Sequence, residues 1–210
     1  MSLFNLFIPQ IIQFPDTKYN KNIKLICGAG EPTLVADDLI ESGYLLTHIW
    51  KKGLKNLLPK DFLPQKILIL GLGGGSNTNL VSHLYPNSSI TAIEIDSQMV
   101  DIAQKYFRVT KNKNLKIVTA DAEKFVNDLP AGRQVYDLIL VDCFIGKYIP
   151  ESLQTMAFIR KLSQISRYTL INRIWYNEHH LETVFFLKEL SKHFFYLKTQ
   201  TRTNIVVSLI

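Results

Sequence analysis

Residues 67–96 read ILILGLGGGSNTNLVSHLYPNSSITAIEID and carry the clearest structural pattern of the chain. Its first four residues are continuously apolar, which is typical of a parallel strand buried on both faces. A glycine-rich turn at 71–75 follows, then a helix from about Asn77 to Leu84 and a second strand that ends near Glu94. Nucleotide-binding units have this order of strand, glycine turn, helix and acid-tipped strand. The stretch therefore predicts a site for a nucleoside-containing cofactor.

The candidate binding residues of this unit are Gly71, Gly73, Gly75 and Glu94. Glycine permits positive φ and lets the backbone come close to a ligand, and the amino end of the next helix points its free N–H groups at the same ligand. Glu94 stands 19 residues after Gly75, where a carboxylate can accept both hydroxyls of a ribose. The alternative interpretation is a glycine turn packed on a helix beside a solvent-exposed glutamate.

Strands and helices alternate along the rest of the chain, which predicts an α/β, Rossmann-like fold with a mostly parallel sheet and helices on both faces. Strand-like runs at 23–27 and 33–36 predict a small amino-terminal β-hairpin, and a helical pattern follows at 43–58. We expect an appendage at 1–58 and the nucleoside-binding domain at 59–210. The sheet is predicted to have seven strands and to end in an antiparallel hairpin, with strands at 67–70, 89–95, 115–119, 136–141, 169–175, 194–198 and 204–209.

Ligands of open parallel sheets bind beyond the carboxyl ends of the strands. In this chain the first strand ends on the glycine turn, and the next three are followed by Glu94, Asp121 and Asp142. Asp121 beside the small Ala122 suits an adenine amino group. Its other interpretation is the N-cap of the helix that follows, a common role of aspartate and compatible with the first. Asp142 could pair with a cationic group of the cofactor or act as a base, and its alternative is to cap the loop that follows.

Composition excludes several classes of function. The net charge is +6, but the lysines are scattered, so no nucleic-acid-binding face is expected. Cys27 and Cys143 have no metal-ligand spacing, which favours a reduced, cytoplasmic protein without a metal site. The apolar opening 1–15 is broken by Pro9 and Pro15, so we expect neither a signal peptide nor a membrane span. We expect this segment to pack on the domain or on a second subunit.

Six segments, in this order, resemble the spermidine-synthase-like (polyamine synthase) family within the class I S-adenosylmethionine-dependent methyltransferase fold. They are TKYNKNIKL (17–25), DDLIE (37–41), LILGLGGGS (68–76), AIEID (92–96), TADA (119–122) and DCFIGKYIPESL (142–153). The resemblance implies a transferase that uses S-adenosylmethionine or its decarboxylated form, acts on a small-molecule acceptor and forms a homodimer. It implies that the cofactor contacts Asn20, Gly71, Gly73, Gly75, Glu94, Asp121, Ala122 and Asp142.

On the acceptor side, the candidate catalytic residues are Asp142 and Tyr148. Tyr148 could close over the acceptor, although an exposed loop tyrosine is the alternative. Arg173 and Tyr176 lie at the end of the fifth predicted strand, a place that usually lines the acceptor pocket in this fold. They could select an acidic or aromatic acceptor, and their alternative is to be ordinary edge residues. His48 could supply a base. The alternative is that this single histidine, on a helix with apolar neighbours, packs in the structure or lies on its surface.

Two departures from the family pattern concern the acceptor. Gly74 stands where the family has the acid that holds the amine of decarboxylated S-adenosylmethionine, and Ile145 stands where it has a proton acceptor. Isoleucine can neither bind a polycation nor take its proton. We therefore favour methyl transfer to an unidentified small acceptor. Two alternatives remain: an aminopropyltransferase whose amine site is rebuilt from Glu41, Asp142 and Glu151, and a catalytically silent nucleoside-binding scaffold.

Overall fold

In a computed structural model, which describes residues 9–28, 30–130 and 132–209, the chain forms two sheets and six α-helices. We expected the apolar opening 1–15 to pack on the domain or on a second subunit. Residues 1–8 lie outside the described ranges, whereas Ile12 and Phe14 pack against the hydrophobic core of the domain. The strands are β1 (Gln10–Gln13), β2 (Lys24–Cys27), β3 (Thr33–Ala36), β4 (Leu39–Ser42), β5 (Lys66–Leu70), β6 (Ser89–Glu94), β7 (Leu115–Thr119), β8 (Tyr136–Val141), β9 (Ser166–Ile174), β10 (Tyr196–Gln200) and β11 (Asn204–Leu209). The helices are α1 (Tyr44–Leu57), α2 (Ser76–Leu84), α3 (Ser97–Tyr106), α4 (Ala122–Asn127), α5 (Met156–Ile165) and α6 (His179–Leu190).

The large sheet has the order β10-β11-β9-β8-β5-β6-β7. Its strands β7, β6, β5, β8 and β9 are parallel, and β11 enters antiparallel between β9 and β10. The predicted seven-stranded, mostly parallel sheet with a carboxyl-terminal antiparallel hairpin is confirmed. From β5 the chain adds β6 and β7 on one side and then β8 and β9 on the other, so the strand order reverses between β5 and β8. Such sheets bind ligands at this position.

The small amino-terminal sheet is larger than predicted. Its antiparallel order is β1-β2-β3-β4, so two strands flank the predicted hairpin. The flanking strand β1 is mostly exposed, so it has no alternating pattern to reveal it. Asp37 and Asp38 both have positive φ, in the tight turn that connects β3 to β4. The prediction took this turn as the end of the hairpin, and β4 was missed.

Alternate side chains of β5 enter two separate cores, as expected of a strand with helices on both faces. Ile67 and Ile69 pack in the core that contains α1, α2 and α3. Leu68 and Leu70 pack in the core that contains α5 and α6. Within the described ranges, none of the helices combines the length and apolar character needed to cross a bilayer.

Helix α1 lies against the carboxyl-terminal hairpin of the large sheet. The helix comes so close that a Cβ added at Gly53 would lie 3.1 Å from the Val206 side chain. On the next turn, Asn56 Nδ2 donates a 3.0 Å hydrogen bond to Thr199 Oγ1. The helix that precedes the expected boundary at residue 58 thus packs on the domain that follows it, and the boundary itself stays a prediction.

Candidate functional site

The glycine turn after β5 packs closely against the ends of β4 and β8. Gly71 and Gly73 have φ values of 91° and 51°, a region that favours glycine. A Cβ at Gly71 would collide with the carbonyl oxygen of Asp142, and one at Gly73 would lie 2.7 Å from the carbonyl oxygen of Glu41. Gly75, with φ 90°, stands at the start of α2. Space as well as φ therefore restricts Gly71 and Gly73 to glycine.

Glu94, at the tip of β6, fixes the same turn from the other side. Its Oε2 accepts hydrogen bonds from the backbone N–H of Leu72 (3.0 Å) and Gly73 (3.1 Å). Its Oε1 accepts from the N–H of Asp96 (3.0 Å). Burial raises the pKa of Glu94, and these three backbone donors oppose that effect. The carboxylate predicted to accept ribose hydroxyls therefore also holds the glycine turn in place.

A first cavity opens beyond the ends of β5, β6 and β8. It has a volume of about 80 Å³. It is lined by seven of the eight residues predicted to contact a cofactor, Asn20, Gly71, Gly73, Glu94, Asp121, Ala122 and Asp142. Gly75 is the exception, and it stands in the left-handed conformation at the start of α2.

Two of these residues also organise the backbone around the first cavity. Asn20 Nδ2 donates a 2.8 Å hydrogen bond to Asp96 Oδ2, and the other oxygen of Asp96 caps α3. Asp121 caps α4 by accepting from the N–H of Lys124 at 3.1 Å. The predicted N-cap role of Asp121 is confirmed, and its second oxygen is not part of that cap.

A second cavity of about 170 Å³ adjoins the first, between α1, the β3–β4 turn and the ends of β8, β9 and β11. Its polar lining comes from the acids Asp38, Glu41 and Asp142 and from Asn172, Tyr176, Thr203 and Asn204. Its apolar lining includes Leu45, Ile49 and Ile174. The sequence pattern did not predict Asn204 or Thr203, because the turn between β10 and β11 carries no motif.

The two cavities meet at a junction formed by Glu41, Gly71, Gly73, Asp142 and Phe144, which line both. No lysine or arginine of the described residues lines either cavity, although the chain carries a net charge of +6. Burial raises the pKa of Glu41 well above its ordinary 4.5, and the negative charges of Asp142 and Glu94 raise it further. A cation bound at the junction would lower this pKa and favour the ionised form of Glu41, so the junction suits a cationic ligand.

Asp142 is held by three neutral donors. Its Oδ2 accepts from Trp50 Nε1 (2.9 Å) and Asn77 Nδ2 (2.5 Å), and its Oδ1 accepts from Asn172 Nδ2 (2.8 Å). Burial raises the pKa of Asp142, and these hydrogen bonds counteract part of that rise. No local motif marks Trp50 or Asn77 as site residues, because both reach Asp142 from helices distant in sequence.

Of the other acceptor-side candidates, some line a cavity and some do not. Tyr176 lines the second cavity, and Ile145 lines the first. Tyr148 is 52% exposed and lines neither, although its ring lies 5.8 Å from that of His179. His48 is exposed and also lines neither.

Arg173 points away from both cavities. Its Nη1 donates to Gln154 Oε1 at 2.8 Å, and its guanidinium lies 4.3 Å from the centre of the Phe186 ring. Burial lowers the pKa of Arg173 to about 10. The prediction that it selects an acceptor does not fit this orientation, which follows from the alternation of side chains along β9.

Gly74 has no room for the acid that the family pattern has at this position. A Cβ there would lie 2.7 Å from both the Phe107 ring and the Ser42 side chain. The Gly74 N–H donates to Ser42 Oγ at 2.7 Å. The surrounding side chains are therefore fitted to a glycine. In the part of the chain that the structure describes, no three His, Cys, Asp or Glu side chains come together as a metal site.

Comparison with known proteins points to two kinds of transferase. The family described as spermine/spermidine synthase domain matches residues 47–203. The polyamine aminopropyltransferase of Vibrio vulnificus is 40% identical over 102 residues, which cover 49% of this chain and 34% of that protein. The human eEF1A lysine and N-terminal methyltransferase is 35% identical over 83 residues, which cover 38% of this chain and 12% of that protein. The matched segments thus span about a third or less of these relatives.

A solved spermidine synthase, in complex with the transition state analogue AdoDATO, shares the fold. It superimposes with a TM-score of 0.72 at 15% identity and covers 95% of this chain, which in turn covers 73% of that one. At this identity the likeness concerns the fold alone.

Proposed function

Because this chain belongs to the spermine/spermidine synthase domain family, as its motifs predict, we propose that it is an S-adenosylmethionine-type transferase acting on an amine. The cofactor occupies the first cavity, and the acceptor occupies the second. The observation that carries this proposal is the junction, where Glu41 and Asp142 line both cavities without any lysine or arginine of the described residues. A sulfonium and an amine are both cations when they bind, and such a site attracts them.

The cofactor, when bound, supplies an electrophilic carbon and its own leaving group. The residues of the chain then have two tasks. The glycine turn, Glu94 and Asp121 hold the nucleoside, and the shape of the junction aligns the amine with the carbon–sulfur bond. Held there, the cofactor would supply the carbon for a new carbon–nitrogen bond, and its thioether would take the electron pair of the broken carbon–sulfur bond. Asp142 is the proposed acceptor of the amine proton.

Methyl transfer is the favoured reaction. Gly74 has neither a side chain nor space for one, so no acid at this position repels the carboxylate of S-adenosylmethionine. The name of the human relative is that of a methyltransferase. We propose a small amine as the acceptor, since the second cavity combines three acids with an apolar wall.

Aminopropyl transfer is the second candidate. Of the three acids predicted for a rebuilt amine site, Glu41 and Asp142 line the second cavity, whereas Glu151 is exposed and lines neither cavity. Asp38 is the third acid of the second cavity, and such a lining suits the extra ammonium of decarboxylated S-adenosylmethionine or of a polyamine. The Vibrio vulnificus relative carries the name of this activity. A silent nucleoside-binding scaffold is the remaining alternative.

Calorimetric titration with S-adenosylmethionine, its decarboxylated form and methylthioadenosine separates these functions. Tighter binding of S-adenosylmethionine supports methyl transfer, and tighter binding of the decarboxylated form supports aminopropyl transfer. If the neutral methylthioadenosine binds as tightly as both cations, or if nothing binds, the proposed transferase is contradicted.

We also propose a cytoplasmic homodimer. Free Cys27 and Cys143 support a reducing compartment, and the family resemblance supports the dimer. Light scattering at micromolar concentration tests the assembly, and a monomer there contradicts it.

A further inference from the structure

Asp142 is a charged side chain with an unusual set of partners. Three donors contact its carboxylate, and all three are neutral: an indole and two amides. Within the described ranges, no ion pair includes Asp142. A lysine or arginine in their place would hold the carboxylate as firmly but would cancel its charge. When it is ionised, the negative charge of the carboxylate is therefore available to a ligand in the two cavities that it lines.

The two oxygens of Asp142 are not equivalent. Oδ2 receives both Trp50 and Asn77, whereas Oδ1 receives only Asn172. A carboxylate oxygen accepts two hydrogen bonds. Oδ1 thus has one acceptor position left for a ligand at the junction, and Asn172 determines where that oxygen lies.

Asn172 is itself oriented by a fourth residue. Asn204 Nδ2 donates a 3.0 Å hydrogen bond to Asn172 Oδ1, and both side chains are buried. An ionised carboxylate only accepts hydrogen bonds, so the amide nitrogen of Asn172 must face Asp142 and its oxygen must face Asn204. The pair joins β11 and β9 to the end of β8.

Trp50 reaches Asp142 from α1. Its side chain is fully buried, and an indole N–H can only donate. Because α1 also contributes Leu45 and Ile49 to the second cavity, the helix connects the wall of that cavity to the carboxylate.

We propose that Trp50, Asn172 and Asn204 are positioning residues that hold Asp142 at the junction with one acceptor position of Oδ1 open to a cationic ligand. This inference rests on the proposed function, because the cation is the sulfonium cofactor or the amine. The three residues act on the cofactor through Asp142, because none of them lines the first cavity; Asn172 and Asn204 line the second cavity, so the test uses ligands of the first.

Ligand discrimination tests the inference. Calorimetry gives two dissociation constants, one for methylthioadenosine and one for the cationic cofactor that the unaltered protein binds more tightly. The quantity compared is the first constant divided by the second, which is large when the site prefers the cation. Trp50→Phe and Asn172→Leu should each lower this ratio about tenfold, the equivalent of one hydrogen bond to a charged group. The dissociation constant of methylthioadenosine should stay within about twofold. Asn56→Leu, which removes only the contact of α1 with Thr199, is the matched control and should leave the ratio unchanged.

A merely structural role predicts a different result. If a variant binds both ligands more weakly by the same factor, or keeps the ratio of the unaltered protein, the inference is overturned. If the unaltered protein binds none of the ligands, the proposed function fails, and a measurement without ligand still decides the inference.

That measurement uses the fluorescence of Trp50. The chain has two tryptophans, so Trp175→Phe leaves Trp50 as the reporter. Glu41, Glu94 and Cys143 also titrate near Asp142, so loss of the transition in the added Asp142→Asn variant assigns it. Neutral donors lower the pKa of a carboxylate. Asn172→Leu and Asn204→Leu should therefore move the midpoint to higher pH, and an unmoved midpoint in both would contradict the inference.

Discussion

The indole nitrogen of Trp50 lies 2.9 Å from Oδ2 of Asp142, a residue 92 positions later in the chain. Other contacts also tie the amino-terminal segments to the site. Asn20 bonds to Asp96 at the entry to α3, and Glu41 lines both cavities. The candidate site therefore contains residues that precede the glycine turn in sequence as well as residues that follow it. Removal of the residues before 58 would remove part of the cavity lining.

Glu41→Gln should stabilise the protein at neutral and alkaline pH. The folded-state pKa of Glu41 is raised above its ordinary 4.5 by burial and by Asp142. The fold therefore disfavours the ionised form, and stability is lost as pH rises through the folded pKa. The amide removes this cost. We expect a gain of about 1 kcal/mol in the free energy of unfolding near pH 8, or roughly 2–4 °C in Tm.

The gain should disappear near pH 4, where Glu41 is protonated in both states. Thermal unfolding at the two pH values checks this dependence. A gain that is the same at both pH values would mean that the charge of Glu41 is not its origin.

Gly74→Asp should destabilise the protein and should not restore a polyamine site. The new Cβ would lie 2.7 Å from Phe107 and from Ser42, and overpacking of this kind costs about 1–3 kcal/mol. Gly28→Ala is the matched control, because a Cβ there meets nothing within 4 Å. Urea unfolding compares the two. Equal stability of Gly74→Asp and the unaltered protein would show that the turn has room for the family acid.

Glu94→Ala and Asp121→Ala should each weaken methylthioadenosine binding about tenfold or more, since each removes a carboxylate from the first cavity. Glu94→Ala should also destabilise the fold by about 1–3 kcal/mol, because three backbone N–H groups lose their acceptor. Calorimetry and urea unfolding give the two quantities. Glu123→Ala, in the first turn of α4, is the control. Unchanged affinity in both variants would mean that the nucleoside site lies elsewhere.

Tyr148→Phe should leave the affinity for every cofactor form within about twofold, the range of an ordinary surface change. The side chain is half-exposed and lines neither cavity. Its predicted role on the acceptor side therefore concerns turnover and not cofactor binding. A clear loss of cofactor affinity by calorimetry would place Tyr148 in the cofactor site, against the geometry.

The sequence predicts the large sheet well, because its central strands are continuous apolar runs separated by strong helix and turn signals. The same alternation of strands and helices predicts that Glu94, Asp121 and Asp142 lie at one edge of the sheet, and this prediction needs no information about contacts. The residues that hold Asp142 could not be predicted in this way. Trp50 and Asn204 look like ordinary core and turn residues, and only the packing of α1 and β11 on the sheet brings them to the carboxylate. The strand β1 was missed because both of its faces are largely exposed.

The proposed function and the further inference both depend on Asp142, which we propose supplies negative charge to a cationic cofactor at the junction. Calorimetric titration of the unaltered protein and of Asp142→Asn, each with the preferred cationic cofactor and with methylthioadenosine, tests it most directly. We expect Asp142→Asn to bind the cation about 10- to 100-fold more weakly and to bind methylthioadenosine with unchanged affinity. Equal affinity of both proteins for the cation would contradict the claim.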